Sequence, residues 1–287
     1  MKINAMTEVI TLIGSPVKQS FSPNIHNYLL EKYNINSLYN CFDVKKENLQ
    51  DAINGIKALD IKGANVTIPH KVDVMKYLDS INYNAKLIGA VNTIKNENGN
   101  LIGYNTDGKG FVKSIKDNNH QIKNKKVLIL GAGGACRSIA VELANEGAKS
   151  IEIRNRSEEN ARLISNLISD NFDVESVYST KLVEQSDLEE CDILINTTPI
   201  GMESEECPID KSIEIHKKIL VCDIVYKPHK TELIKWANRE NLDVIYGIDM
   251  LINQAIEAFY IWTDIKASKK DLEAIKQIYS GGIIEKR

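Results

Sequence analysis

Residues 128 to 138 read LILGAGGACRS. Apolar residues end a strand, glycines fall at 131, 133 and 134, and a helix pattern begins at once. That pattern, ACRSIAVELANEG, closes on Gly147, a residue type that ends helices because it enters the left-handed region freely. Strand, glycine turn and helix in this order open a nucleotide-binding βαβ unit. The glycines allow the tight turn and let backbone amides approach a pyrophosphate, and the helix N-terminus favours its negative charge. The plainer alternative is the same turn without a ligand. The strict pattern places a further glycine at 136, where this chain has Cys136. A small residue there still permits close packing.

Toward the C-terminus, SIEIR, CDILINTT, KILVCDIVY and LDVIYG continue the alternation of strand and helix. This is the pattern of a doubly wound parallel sheet. The second strand runs into Asn155, Arg156 and Ser157. An NAD-binding fold usually carries Asp or Glu there, to accept from the ribose hydroxyls. An arginine cannot accept those bonds but pairs well with a phosphate, so the stretch favours NADP over NAD. The competing reading is a solvated arginine beside Glu158 and Glu159.

Toward the N-terminus the pattern differs. Val9 to Ile13 reads as a strand, followed by the turn residues Gly14, Ser15 and Pro16. In SPNIHNYLLEKY, Ser22 suits a helix N-cap and Pro23 the first helical position. Residues 61 to 68 read as a strand that runs into NVTIPHK. Alternation places Val66 and Ile68 in the core and Asn65 and Thr67 on the other face, with Lys71 emerging at the strand's carboxyl end. AVNTIK and LIGY flank Asn98-Gly99, a strong hairpin signal. A two-residue turn pairs Glu97 with Asn100 and Asn92 with Asn105, and Asn92, Asn105 and Asp107 then share a face. From about Ile248 the chain is helical, with Leu251, Ala255, Ala258, Phe259 and Trp262 on one apolar face.

Bulk properties bound the possibilities. The 287 residues suggest two domains. At 43% hydrophobic and 26% charged, the chain has an ordinary globular composition. A net charge of -3 without a basic block gives no footprint for nucleic acid. The five cysteines form no C-x-x-C, which points to reduced thiols in a cytoplasmic protein. The five histidines form no H-E-x-x-H, and no metal site is expected. The start has no long apolar stretch, so neither a signal peptide nor a membrane span is expected.

Singly, Lys71 reads as a solvated lysine, Asp107 as a helix cap, and Ser20 and Ser22 as turn residues. Together with their neighbours they do not. GSPVKQSFSPNIHN, GANVTIPHK, GAVNT, GYNTDG, GAGGACRS, NRS, INTTPIGM, DIVYKPHKTELI and YGIDMLINQAIEAF follow in order across nearly the whole chain. This closely resembles the shikimate dehydrogenase family, whose members reduce 3-dehydroshikimate with NADPH on the route to aromatic amino acids. The resemblance implies that Ser20 and Ser22 hold the substrate carboxylate. It implies that Thr67, Lys71, Asn92, Asp107 and Gln254 bind the ring hydroxyls, with Tyr226 at the substrate's edge. Gly133, Gly134 and Ala135 match the pyrophosphate turn, and Asn155, Arg156 and Ser157 the adenosine phosphate site. Thr197, Ile224 and Gly247 fall where the family lines its nicotinamide pocket. Two positions depart from the family. Asn160 stands where a second basic residue is common, with Arg154 and Arg162 nearby, and Ile224 stands where Met is usual.

The implied chemistry suits these residue types. Hydride transfer to a ketone builds negative charge on oxygen, which requires a proton donor and a positive group. Lys71 supplies both, and Asp107 can orient its ammonium. Oxidation of the alcohol needs that proton gone first, so its rate is expected to climb above neutral pH. The expected architecture is α/β in two domains. A substrate domain takes residues 1 to 107 and 248 to 287, and an NADP-binding, Rossmann-like domain takes 108 to 247, with the site in the cleft between them. The substrate is a small molecule, and the protein is expected to be a monomer or homodimer. Two rivals remain. One is a quinate/shikimate dehydrogenase with relaxed cofactor use, against which Thr67 stands, since quinate users tend to carry Ser there. The other is a non-catalytic NADP sensor, which would have no need of Lys71, Asp107, Asn92 and Gln254 together.

Overall fold

Short apolar strands separated by capped turns build the first part of the chain, in a computed structural model that describes residues 3–284. They are β1 (Glu8–Gly14), α1 (Ser22–Lys32), β2 (Ser37–Asp43), α2 (Leu49–Ala58), β3 (Gly63–Val66), β4 (Ser80–Ile81), α3 (Tyr83–Ile88), β5 (Thr93–Glu97) and β6 (Asn100–Tyr104). The strands form one mixed sheet in the order β2-β1-β3-β5-β6-β4. β1 is parallel to β2 and β3, whereas β5 is antiparallel to both β3 and β6. The hairpin has the expected register, with Glu97 opposite Asn100, and Asn98 and Gly99 both adopt positive φ. Ile13, Val66, Ile94 and Leu101 pack against Ile53 and Ile56 of α2 in a single apolar core.

Three local expectations are corrected. The strand that was read to residue 68 ends at Val66, so alternation does not extend to Ile68, which is 72% exposed. Asn65 is buried, because both faces of β3 are covered. Ser22 is the first residue of α1 rather than its cap. Phe21 holds the cap position without a side-chain bond, and the Ser22 amide donates to Ser20 Oγ at 3.2 Å.

The second part comprises α4 (Asp107–Asp117), β7 (Lys126–Leu130), α5 (Gly134–Asn145), β8 (Ser150–Arg154), α6 (Glu158–Asn171), β9 (Glu175–Ser179), α7 (Gln185–Glu190), β10 (Ile193–Asn196), β11 (Leu220–Asp223), α8 (Glu232–Arg239) and β12 (Asp243–Ile245). Its sheet is parallel throughout, in the order β12-β11-β10-β7-β8-β9. This is the Rossmann order, and it reverses between β7 and β10. Leu128, Leu130, Leu194 and Val221 bury one face against Leu233 and Trp236 of α8. α9 (Gly247–Thr263) and α10 (Lys269–Ile284) follow. The chain divides into two compact units, Met1–Thr106 with Gln254–Arg287, and Asp107–Asn253. The expected C-terminal segment runs to residue 287, but positions 285 to 287 lie outside the described residues.

Within unit two, Gly108 marks the tight crossing of α4 and α5. A Cβ there would lie 2.2 Å from Ser138 O and 2.7 Å from Glu142 Cγ, and a backbone oxygen cannot yield as a side-chain end can. Gly108→Ala is therefore expected to destabilise by about 1–3 kcal/mol. Gly55 in α2 has open space around the same atom, so Gly55→Ala should stabilise by up to about 1 kcal/mol. Urea midpoints of the two variants moving in the same direction would refute the steric argument.

Candidate active site

In unit one the path from β3 to Lys71 is pinned at each step. The Thr67 amide donates to Ile13 O at 3.0 Å, and the Ser15 amide to Ile68 O at 2.9 Å. Gly14 makes this approach possible, since a Cβ there would lie 2.2 Å from Thr67 Cγ2. The Ile68-Pro69 peptide is cis. His70 is buried and its Nε2 donates to Val44 O at 2.6 Å. The Val91 amide donates to Lys71 O at 2.7 Å, which ties the half-buried Lys71 to the segment that carries Asn92 into β5.

Asn92 is the centre of a buried polar cluster. Its Oδ1 accepts from the Thr106 amide at 2.8 Å and from Thr93 Oγ1 at 2.9 Å. Its Nδ2 therefore faces the other way and donates to Thr106 Oγ1 at 2.9 Å and to Gln254 Oε1 at 3.4 Å. Gln254 comes from α9, distant in sequence, yet belongs to the same unit. Asn105 donates from Nδ2 to Ala90 O at 3.0 Å. Unit one thus holds Ser20, Ser22, Thr67, Lys71, Asn92 and Gln254. Asp107 and Tyr226 belong to unit two. Asp107 is 7% exposed and opens α4, and burial raises the Tyr226 phenol above its ordinary range.

In unit two the glycine turn lies at the point where the strand order reverses. Gly131 has φ +100°, and a Cβ there would lie 2.7 Å from Thr197 Oγ1. Only glycine meets both demands. Thr197 closes the opposite side, donating from its amide and hydroxyl to Leu130 O, each at 2.8 Å. Gly133 precedes the first turn of α5 with extended backbone and no side-chain cap. A Cβ at Gly133 or Gly134 would meet nothing within 4 Å, and Ala135 is half-buried. Uncapped first-turn amides in open surroundings fit a pyrophosphate. Cys136, in the place of the third glycine, is fully buried, and burial pushes its thiol up to about 12.

The stretch expected to meet the adenosine phosphate follows β8. Asn155 Nδ2 donates to Ser157 O at 2.9 Å, and Arg156 is exposed between them. The neighbouring arginines are committed elsewhere. Arg154 grips Asp187 through two nitrogens, at 2.6 and 2.5 Å, and Glu152 at 2.7 Å. Arg162 pairs with Glu159 at 2.9 Å. At the other end, the Ile224 amide donates to Asn196 O at 3.1 Å. Gly247 admits the close approach of α9, because a Cβ would lie 2.5 Å from Ile224 O.

The sequence reading missed several polar residues that order these sites. In unit one they are Tyr39, Asn65, Thr93 and Thr106. In unit two they are Asn196 and Asp223, joined at 3.0 Å, with Thr231 Oγ1 donating to Asp223 Oδ2 at 2.6 Å. Burial raises the Asp223 carboxyl despite these bonds. The available signal was a polar side chain inside or at the end of an otherwise apolar strand. Among the described residues, no cluster of His, Cys, Asp and Glu could hold a metal ion, and no helix is long and apolar enough to cross a membrane.

Three family models match the chain. Residues 12–94 match the shikimate dehydrogenase substrate binding domain, 113–224 the shikimate / quinate 5-dehydrogenase family, and 247–274 the shikimate 5'-dehydrogenase C-terminal domain. The shikimate dehydrogenase (NADP(+)) of Caldanaerobacter subterraneus subsp. tengcongensis is 45% identical over 265 residues, 92% of this chain and 94% of the relative. The shikimate 5-dehydrogenase of Listeria monocytogenes, solved with shikimate and NAD, superposes with TM-score 0.89 at 33% identity. It covers 97% of this chain and 98% of its own. The ligand-free 5-ketofructose reductase of Gluconobacter sp. strain CHM43 gives TM-score 0.87 at 33% identity, covering 96% and 100%. On the length and identity of these matches, the chain belongs to the shikimate dehydrogenase family.

Proposed function

We propose that the protein catalyses the reversible, NADP-dependent reduction of 3-dehydroshikimate to shikimate. The observation that carries this reading is the arrangement around Lys71 in unit one. Its backbone is tied to Val91, next to an Asn92–Gln254 pair whose amides have fixed orientation. A polyhydroxylated ring needs such a rigid set of donors and acceptors, whereas a sensor of the cofactor alone does not. The superposition of a 5-ketofructose reductase makes the point sharper, because the fold alone does not choose the substrate.

In this reading Ser20 and Ser22 take the ring carboxylate at the start of α1, where amides and the helix dipole favour an anion. Thr67, Asn92, Asp107 and Gln254 bind the ring hydroxyls, and Tyr226 borders the ring. The nicotinamide supplies or accepts the hydride, and Thr197, Ile224 and Gly247 line its pocket. Lys71 delivers the proton to the ketone oxygen during reduction and stabilises the charge that builds there. In oxidation it takes the same proton back. The buried thiols, Cys136 and Cys191 both pushed up to about 12 by burial, suit a reducing cytoplasm.

The test is a two-by-two initial-rate assay, with shikimate and quinate each offered with NADP and NAD. Shikimate with NADP should dominate kcat/KM. Quinate turnover within a few-fold would overturn the shikimate assignment.

One observation favours looser cofactor choice than is usual in the family. Arg154 and Arg162 are held by Asp187 and Glu159, which leaves the adenosine phosphate to Arg156. Arg156→Ala is expected to raise KM for NADP about tenfold or more and to leave KM for NAD within twofold, from loss of one charge-assisted pair. Equal effects on both cofactors would remove Arg156 from phosphate recognition.

A further inference from the structure

Tyr39 lies on β2, and none of the substrate or cofactor roles assigned above falls to it, although its phenol also hydrogen-bonds the Ser22 side chain. Tyr39 is 1% exposed, and α1 holds its backbone in a reciprocal clamp. Asn27 Nδ2 donates to Tyr39 O, and the Tyr39 amide donates to Asn27 Oδ1, each at 2.9 Å. The ring is fixed from the side as well, stacked on His26 at 4.3 Å between centroids and tilted against Trp262 at 6.2 Å. A clamp of this kind leaves the hydroxyl no freedom of position.

That hydroxyl donates to Asn65 Oδ1 at 2.7 Å. With its oxygen so committed, Asn65 turns its Nδ2 to the hairpin, donating to Asn92 O at 3.2 Å and to Thr93 Oγ1 at 3.1 Å. Thr93 Oγ1, accepting from Asn65, is left to donate its own hydrogen to Asn92 Oδ1 at 2.9 Å. Each bond fixes the donor or acceptor sense of the next. The chain ends at the Asn92 amide, whose Nδ2 meets Gln254 Oε1. The Thr106 amide, which can only donate, sets the sense of the Asn92 amide, and the Tyr39 phenol holds the far end of the same chain through Asn65.

We propose that Tyr39 is a positioning residue for substrate recognition: its hydroxyl steadies Ser22 directly and, through Asn65 and Thr93, holds the Asn92–Gln254 pair in place for the ring. This rests on the reading of Ser22, Asn92 and Gln254 as substrate ligands. It implies that Gln254, its oxygen accepting from Asn92, turns its amide nitrogen to the ring, where a hydroxyl accepts.

Tyr39→Phe tests the proposal, because it keeps the ring contacts with His26 and Trp262 and removes the hydroxyl alone. The expected result is a rise of about three- to tenfold in KM for shikimate, the size of one hydrogen bond's net effect. KM for NADP should stay within twofold and kcat should fall less than KM rises. A parallel rise in both Michaelis constants would signal general loosening and overturn the proposal, as would unchanged kinetics. Nitrogen-15 NMR supplies a readout independent of activity. The side-chain amide resonances of Asn65 and Asn92 should shift and exchange faster in Tyr39→Phe, while Asn196 in unit two stays fixed. Unmoved Asn92 resonances overturn the relay even where kinetics change. Wild-type protein that turns over no shikimate overturns the functional reading, and the amide resonances still decide whether Tyr39 holds the Asn92 amide in place.

Discussion

Lys71→Ala should lower turnover by on the order of 10²-fold or more while leaving the fold intact. The structural work at this position is done by the main chain. Lys71 O accepts from the Val91 amide at 2.7 Å, and the neighbouring His70 is anchored through its ring to Val44 O. Alanine keeps both contacts. What is lost is the ammonium, which in the proposed mechanism is both the proton donor and the charge opposite the developing alkoxide. The loss belongs to the transition state, so kcat and kcat/KM should fall together and KM for shikimate should change little. Lys71→Met, which keeps the length of the side chain without its charge, should fall as far. If either variant raised KM alone, Lys71 would be a binding residue and the proton would have to come from another group. Thermal unfolding of the variants within a degree or two of wild type would separate loss of chemistry from loss of structure.

The sequence displayed the parts of this molecule that depend on neighbours in the chain. LILGAGGACRS forms β7, the turn and α5 because an apolar strand, a positive-φ glycine and an alanine-rich helix are all local choices. The Asn98-Gly99 turn set the hairpin register for the same reason. The parts that were misread depend on residues far away. Ile68 looked inward because alternation was carried past Val66, where the chain has already left the sheet. Asn65 looked solvent-facing because nothing local announces that Tyr39, 26 residues earlier, needs its oxygen. Arg154 reads only as a basic neighbour of Asn160, because nothing local announces that Asp187, 33 residues on, holds it. Polar partners fixed by tertiary structure have no periodicity to reveal them.

Acid should weaken the first unit well before its carboxylates titrate, and His26 is the expected cause. The side chain is 1% exposed, enclosed by the Tyr39 ring at 4.3 Å and the indole of Trp262 at 5.1 Å. Burial lowers its pKa to about 3, with Asn65 opposing the shift only in part. The native state therefore keeps a neutral imidazole, whereas the unfolded chain takes up a proton below about pH 6.5. Because the unfolded state binds the extra proton, stability falls as pH falls, by roughly 1.4 kcal/mol per pH unit between about 6.5 and 3. From pH 6.5 to 4.5 the loss is about 3 kcal/mol, and across the whole window it approaches 5 kcal/mol. Carboxylates act lower. The Asp271 carboxyl is held at about 2, with Lys32, Ser268 and Tyr33 favouring its charged form, so its contribution is present above about pH 4 and is lost below it. Asp223 of unit two, raised by burial, binds its proton more readily in the native state and works in the opposite sense, so the difference between wild type and a His26 variant reads out the imidazole. Urea unfolding from about pH 6.5 to 4.5 should show the slope in wild type and a much flatter line in His26→Phe, which keeps an aromatic ring against Tyr39 without a titrating nitrogen. His26→Leu serves the same purpose if the larger ring overpacks the site. A wild-type line no steeper than the variant's down to pH 4.5 would mean that protonated His26 is accommodated in the native state, by water or by movement of Asn65, and that the enclosure is looser than the stacked rings imply.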